Sequence, residues 1–298
     1  ARRSAKPILC CFMGVVDVSP GVKYLQEHGY PVYKFPEDAA KALGALYKYS
    51  HWLNREQLPP FVLENDRAAA AEVIRKCLAA GKTRLGEIDG LELLKCYGFS
   101  TLPTKLAKDE AMAMRIAEEI GFPVAMKIVS PQILHKSDAG GVVIGVKTKE
   151  EAKNAFRRIM ANARKHDPSA QLEGVLIQKM AVPGDEVILG MNRYDIGPLI
   201  MFGLGGIFVE IFKDVVFRLA PVDRGEAHRM VSEIKGYKIF NGFRGRPKSD
   251  VEILEKSIIR LSDMVVNHPE IIELDINPLL VHEEGKGATV ADCRIILK

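Results

Sequence analysis

Two apolar runs, Val124–Val129 and Val142–Val146, flank a polar stretch that ends in Gly140-Gly141. No other feature constrains the fold as much. Each run has the length and β-branched content of a strand. The first carries Lys127 in its middle. A lysine inside an apolar strand costs desolvation unless an anion meets it, or unless the strand lies at an edge and the lysine faces solvent. The intervening stretch, Ser130-Pro-Gln-Ile-Leu-His135-Lys-Ser-Asp138, brings a histidine close to the glycines. Imidazole can accept a proton or a phosphoryl group. A Gly-Gly hairpin lets backbone N–H groups approach phosphate oxygens. Together they point to nucleotide phosphate chemistry.

The elements around this segment alternate. Residues 8–14 read as a buried parallel strand, 18–28 as a helix, 31–35 as a short strand and 37–52 as a helix, the β-α-β-α pattern of an open α/β domain. Leu58-Pro59-Pro60-Phe61 is a natural linker, which divides the chain into residues 1–60 and 61–298. Helices are expected at 68–80, 86–97 (closed by Gly98) and 109–120 (closed by Gly121). A strand follows at 123–129, another at 142–146, a helix at 149–165 and a strand at 175–180. Further strands are expected at 186–191 and 199–202, with a hairpin of 208–212 and 215–219 about Lys213-Asp214. Two helices, 225–234 and 250–267, precede a last hairpin of 271–281 and 288–297. The pattern predicts two α+β lobes with a ligand cleft between them.

The 298 residues carry a net charge of +4 with both signs interleaved, which argues against a nucleic-acid-binding face. The five cysteines form no C-x-x-C pair, as expected of free thiols in a reducing cytoplasm. No apolar run is long enough to span a bilayer. The histidines lack metal-ligand spacing, and no G-x-S-x-G element supports acyl-enzyme chemistry.

Three more motifs carry chemistry. In Glu273-Leu-Asp275-Ile-Asn277-Pro-Leu279, a period of two puts Glu273, Asp275 and Asn277 on one strand face. Asp292 lies on the strand that follows. Oxygen ligands on paired strands suit Mg²⁺, which takes one or two protein ligands plus nucleotide phosphates. Gly203-Leu-Gly205-Gly206 follows an apolar run and is either a plain turn or a backbone cradle for a phosphorylated group. Gln178, Met180 and Glu186 flank a strand-to-turn junction, by default a structural turn, which could also present backbone to an adenine edge and a carboxylate to ribose. Arg218, Asp214 and Arg244 are further candidate anion or substrate contacts, with plain surface charge as the default.

In this order, Lys127, Ser130–Asp138, Gly140-Gly141, Pro183–Glu186, Gly197–Gly206, Glu210, Arg218–Pro221 and Asp275–Leu279 resemble the ATP-grasp part of the NDP-forming acyl-CoA synthetases. That group includes ADP-forming acetyl-CoA synthetase and is related to succinyl-CoA synthetase. The first sixty residues resemble the tail of that family's flavodoxin-like CoA-ligase domain. The resemblance implies an ATP-grasp fold of two α+β lobes behind a partial flavodoxin-like α/β segment. It implies conversion of a carboxylic acid, CoA and ATP (or GTP) to acyl-CoA, ADP (or GDP) and phosphate, by way of an acyl phosphate and a phosphohistidine. Lys127, Gly140 and Gly141 would hold nucleotide phosphates. Gln178, Lys179, Met180 and Glu186 would hold the nucleoside, and Asn277 and Asp292 would hold Mg²⁺. Asp275 would position an incoming histidine whose phosphate Gly205 and Gly206 receive, with Glu210 in the same catalytic set. His135 would take the phosphoryl group before the nucleotide does. CoA, the acid and the swinging histidine would come from domains or a subunit outside this chain, in an oligomeric full-length enzyme. Two other readings share the fold: a nucleotide- or acyl-CoA-sensing module fused to a protein lysine acetyltransferase, and an ATP-grasp carboxylate–amine ligase.

Overall fold

The structure, a computed structural model, describes residues 6–14, 17–54, 58–133, 135–206, 214–242 and 245–298. The chain divides into two compact units, Ala1–Leu58 and Pro59–Lys298.

In the first unit β1 (Cys10–Cys11) pairs in parallel with β2 (Val32–Tyr33), and α1 (Ser19–Glu27) forms the crossover. Helix α2 (Pro36–Leu53) follows, with Pro36 at its start and Glu37 and Asp38 in its first turn, both favourable there. The strands expected over 8–14 and 31–35 shrink to two residues each, because each has a single neighbour to pair with. None of the unit's described residues is buried. Phe12, Met13, Tyr47, Trp52 and Leu53 are exposed. A parallel pair normally lies buried on both faces, so this unit holds almost no core of its own.

The second unit has two lobes, each a sheet backed by helices. In the four-stranded sheet the order is β3 (Thr104–Ala107), β6 (Gly174–Lys179), β4 (Val124–Val129), β5 (Val142–Val146). Every neighbouring pair is antiparallel. Strand β3 was not expected from the sequence: Thr-Lys-Leu-Ala is short and has little β-branching. Helices α5 (Glu110–Ile120) and α6 (Lys149–His166) cover one face of this sheet. Asp109 and Thr148 cap their N-termini by accepting from Met112 and Glu151 amides. Val124, Met126 and Ile128 pack against the helices with Ile159 and Ile177. By the period of two, Ala125, Lys127 and Val129 therefore face the other way. Strand β4 runs between β6 and β5, so Lys127 is central and not at an edge.

The six-stranded sheet runs β11 (Ala288–Val290), β10 (Ile271–Val281), β7 (Asp185–Tyr194), β8 (Gly197–Leu204), β9 (Val215–Leu219), and β12 (Cys293–Leu297) also pairs with β10. Its core is built with α3 (Arg67–Ala79), α4 (Glu87–Cys96), α7 (Arg224–Glu233) and α8 (Val251–Asn267). Leu93, Leu94, Tyr97, Phe202 and Phe240 are among its fully buried side chains. Burial of each such large apolar side chain contributes about 1.5–3 kcal/mol. Residues 207–213, which include the first strand of the hairpin expected about Lys213-Asp214, lie outside the described residues; β9 pairs with β8. The strand expected over 288–297 is broken at Ala291-Asp292. That break takes Asp292 out of the regular ladder and into the site. No described helix is long and apolar enough to cross a membrane.

Candidate active site

Lys127 leaves the four-stranded sheet toward the other lobe and meets Glu87, in the first turn of α4. Lys127 Nζ donates to Glu87 Oε1 at 3.1 Å, and Lys136 Nζ donates to Glu87 Oε2. The ion pairs thus cross between lobes: α4 packs in the core of the six-stranded lobe, the lysines belong to the four-stranded one. Burial raises the Glu87 carboxyl, but the charges of Lys127 and then Lys136 outweigh it and hold the group below the usual carboxylate range.

Across from the lysines lies Asp292. Its Oδ2 is 4.0 Å from Lys127 Nζ, and its Oδ1 accepts from the Cys293 amide at 2.8 Å. Burial raises the Asp292 carboxyl, as does the neighbouring Glu87 carboxylate; Lys127 and Lys136 oppose both without cancelling them. The carboxylate is therefore short of positive charge. Asn277 is exposed beside it, and its amide donates to the Asp292 carbonyl at 3.2 Å. These two oxygen donors fit a magnesium ion, which commonly takes one or two protein ligands and completes its shell with phosphates and water. No three or more described His, Cys, Asp or Glu side chains gather as a metal cage. Asp275 pairs with Gly190, and its Oδ1 lies 3.6 Å from where a Cβ on Gly190 would be. Burial raises its carboxyl; Arg294 opposes this, while Glu273 and Asp292 add to it. Leu274 and Ile276 are buried on the opposite face, as the alternation requires.

His135 is exposed, one residue before Lys136. The Gly140 and Gly141 amides, expected to meet phosphate, donate instead to the Ser137 carbonyl at 3.0 Å and the Lys136 carbonyl at 2.8 Å. The glycines are needed for the turn itself. Gly140 has φ +58°, and a Cβ on Gly141 would lie 2.5 Å from Ile128 Cγ2. The nucleoside segment departs from expectation in the same way. Gln178 is buried, donating to Thr104 Oγ1 at 3.3 Å and to the Ala291 carbonyl at 3.2 Å, so it joins the two lobes. Lys179 Nζ donates to the carbonyls of Gly121 and Phe122 at 2.7 and 3.1 Å, and the Met180 amide donates to Pro123. Glu186 is exposed and stands against Gly205-Gly206. The Gly205 amide donates to its carbonyl at 2.7 Å, and a Cβ on Gly206 would come within 3.1 Å of its Oε2. Glu210 and Arg244 lie outside the described residues. Asp214 is buried and accepts from the Lys235 and Gly236 amides at 2.8 Å, a structural anchor. Sequence reasoning missed Glu87. A central lysine calls for an anion, but nothing local singles out the one that α4 supplies.

A family model for the ATP-grasp domain matches residues 76–297. The chain is 49% identical over 234 residues to the beta subunit of acetate–CoA ligase [ADP-forming] I of Pyrococcus furiosus, across 78% of this chain and 100% of that one. This chain belongs to the ATP-grasp family of ADP-forming acetate–CoA ligases. The alpha subunit of the same enzyme matches 47 residues at 43% identity, 16% of this chain and 10% of that one. Acetate–CoA ligase [ADP-forming] I of Archaeoglobus fulgidus is 40% identical over 294 residues, 98% of this chain but 42% of its own length. The chain thus spans well under half of that relative. A structure of the dinucleotide-forming acetyl-coenzyme A synthetase 1 of Ca. Korarchaeum cryptofilum, in complex with coenzyme A, Ca-AMPCP and HgCl+, shares 42% identity. It superposes with a TM-score of 0.74, covering 77% of this chain and 100% of that one. The two lobes of the second unit are therefore the ATP-grasp fold.

Proposed function

We propose that this chain is the nucleotide-binding part of an ADP-forming acid–CoA ligase, moving a phosphoryl group between a histidine and ADP or ATP. The whole enzyme would convert acid, CoA and ATP to acyl-CoA, ADP and phosphate. One observation carries the reading: the two ammonium groups gathered on Glu87 lie beside the Asp292 carboxylate, with Lys127 Nζ and Asp292 Oδ2 4.0 Å apart. Phosphoryl transfer needs in-line positioning and charge neutralisation more than bond-making side chains. Lys127 and Lys136 would hold phosphate oxygens as point charges. Asn277 and Asp292 would hold magnesium, which when bound neutralises phosphate charge. Asp275 would orient an incoming imidazole, and Gly205-Gly206 with Glu186 would line its approach. His135, exposed beside Lys136, would accept the phosphoryl group. Gly140 and Gly141 would act by shaping this loop, not as donors. Gln178, Lys179 and Met180 would place the nucleoside edge of the cleft while keeping their own polar groups within the protein. The coreless first unit would be the end of a CoA-ligase domain. The 47-residue match to an alpha subunit and its uncovered apolar side chains support that. CoA and the acid would then be bound outside this chain, in an oligomeric cytoplasmic enzyme.

Calorimetric titration with Mg-ATP, Mg-GTP and CoA tests the reading. Nucleotide binding without CoA binding is expected. CoA binding with no nucleotide binding would overturn it. Phosphate labelling of the chain from nucleotide, lost in His135→Ala, tests the histidine.

A further inference from the structure

Glu87 has no task in the function above, yet it is the most enclosed charge of the cleft. Its side chain is 7% exposed, against 16% for Lys127 and 27% for Lys136. The carboxylate is the least exposed of the three groups, and the two ammonium groups are the more open to solvent. A lysine has three donors. One from each is spent on Glu87, which leaves the others free to meet an anion from the open side. The trio retains a net positive charge, and Asp292, 4.0 Å from Lys127, stands at its rim.

Two like charges do not stay side by side unaided. Here the two oxygens of one carboxylate hold them, one each. Lys136 also lies in the turn that follows β4 and adjoins His135. Among the described residues, the other ties named for that turn stay within its own lobe. Asn162 Nδ2 donates to the Gly140 carbonyl at 3.0 Å, the Gln171 amide donates to Gln132 Oε1 at 3.1 Å, and Ile133 and Ala139 join the local core. The Lys136–Glu87 pair instead reaches α4 of the opposite lobe, and just before that helix the Leu85 amide donates to the Ile295 carbonyl of the six-stranded sheet at 3.1 Å.

We propose that Glu87 is a positioning residue for phosphoryl transfer. It holds the Lys127 and Lys136 ammonium groups together at the nucleotide-phosphate position and, through Lys136, ties the His135 turn to the opposite lobe. The proposal rests on the nucleotide reading above. Glu87 itself touches no phosphate; it acts through the two lysines, as groups that orient metal ligands do.

The test is titration of the 298-residue chain with Mg-ATP and with adenosine, in wild type, Glu87→Gln and Glu87→Asp. Glu87→Gln should weaken Mg-ATP roughly 10- to 100-fold, the range seen when an orienting group is removed. Adenosine affinity should stay within about twofold, because no phosphate is involved. Glu87→Asp keeps the charge and should recover part of the loss. In a Lys136→Met background the Glu87→Gln loss should shrink, since one ammonium remains to be held. Unchanged or tighter Mg-ATP binding in Glu87→Gln would overturn the proposal, the latter by making the carboxylate a competitor of phosphate. A parallel loss of both ligands would overturn it too, by reducing Glu87 to a structural part. If Glu87→Gln does not fold, Glu87→Asp decides: selective weakening of Mg-ATP supports the proposal and unchanged binding sinks it. A wild-type chain that binds adenosine but not Mg-ATP removes the role of the lysines, and one that binds neither removes the nucleotide reading itself.

Discussion

Glu226 and Glu87, both in the second unit, each lie between two cations, and the cations decide what each place can do. At Glu226 they are Arg218 and Arg229; at Glu87 they are Lys127 and Lys136. All three nitrogens of the Arg218 guanidinium are engaged. Nε donates to Glu226 at 2.8 Å, one terminal nitrogen to Glu233 at 2.6 Å and the other to the Phe217 carbonyl at 2.9 Å. Arg229 donates to both Glu226 oxygens, at 2.8 and 3.3 Å. Every nitrogen of the Arg218 guanidinium is thus engaged, and the network joins β9 to α7 inside one lobe. At Glu87 the cations are compact, keep spare donors and come from the opposite lobe. A guanidinium with each nitrogen bonded inside one lobe fastens two elements, whereas ammonium groups with one hydrogen bond each stay open to a ligand.

The largest effect expected from this contrast is on Lys127. Replacing it by alanine should lower Mg-ATP affinity at least about a hundredfold, roughly 3 kcal/mol, as for truncation of one partner of an enclosed charge pair. Isothermal titration checks this. A loss under about threefold would mean that Lys127 only neutralises Glu87, and the two networks would then be alike.

The contrast explains what could be read from the chain itself. Lys127 was legible because an apolar strand tolerates a lysine only for a reason. Asp275 and Asn277 were legible because strand alternation places them. The ends of α4 and α5 were legible from Gly98 and Gly121, both at positive φ. Glu87 was not, since an acidic residue in a first helical turn already has a sufficient local explanation in the helix dipole. Its partner lies 40 residues away. The use of the Met180 amide and of the Gln178 side chain was hidden for the same reason: these donors are spent on carbonyls that tertiary structure brings up, while the Gly140 and Gly141 amides close their own turn. The break at Asp292 depends on how β10 pairs with two strands at once, which no local pattern encodes.

Arg218→Ala gives the opposite signature. It should cost about 2 kcal/mol of unfolding free energy, because Glu226 keeps only one of its cations, while Mg-ATP affinity stays within about twofold. Denaturant unfolding paired with titration reads both. A tenfold loss of nucleotide affinity would place the arginine network in the site and erase the distinction. Asp292→Asn comes next. Mg-ATP affinity should fall about tenfold, or 1.4 kcal/mol, while ATP in the presence of a chelator binds no worse, since an unneutralised carboxylate facing phosphate has been removed. Equal losses with and without magnesium would remove Asp292 from the metal site.

The smallest effect is the pH dependence of the closed network. Burial pushes the Glu226 carboxyl up, but hydrogen bonds from Arg229 and then Arg218 outweigh it and hold the group at about 2, against an ordinary 4.5. A carboxyl depressed on folding gives stability that is fully present above the unfolded value and is lost as pH falls through the folded one. Between about pH 4.5 and pH 2 the chain should therefore lose about 1 kcal/mol on account of Glu226, after allowance for partial solvent screening. Glu226→Gln should flatten that limb, with Mg-ATP binding at neutral pH unaffected. Glu87 is depressed in the same direction, so Glu87→Gln should flatten the acid limb too while losing nucleotide affinity. The pair of variants thus separates stability from function at two carboxylates with the same charge arrangement. If Glu226→Gln left the acid limb unchanged while Glu87→Gln removed it, the arginine network would not be the structural one, and the roles of the two places would have to be exchanged.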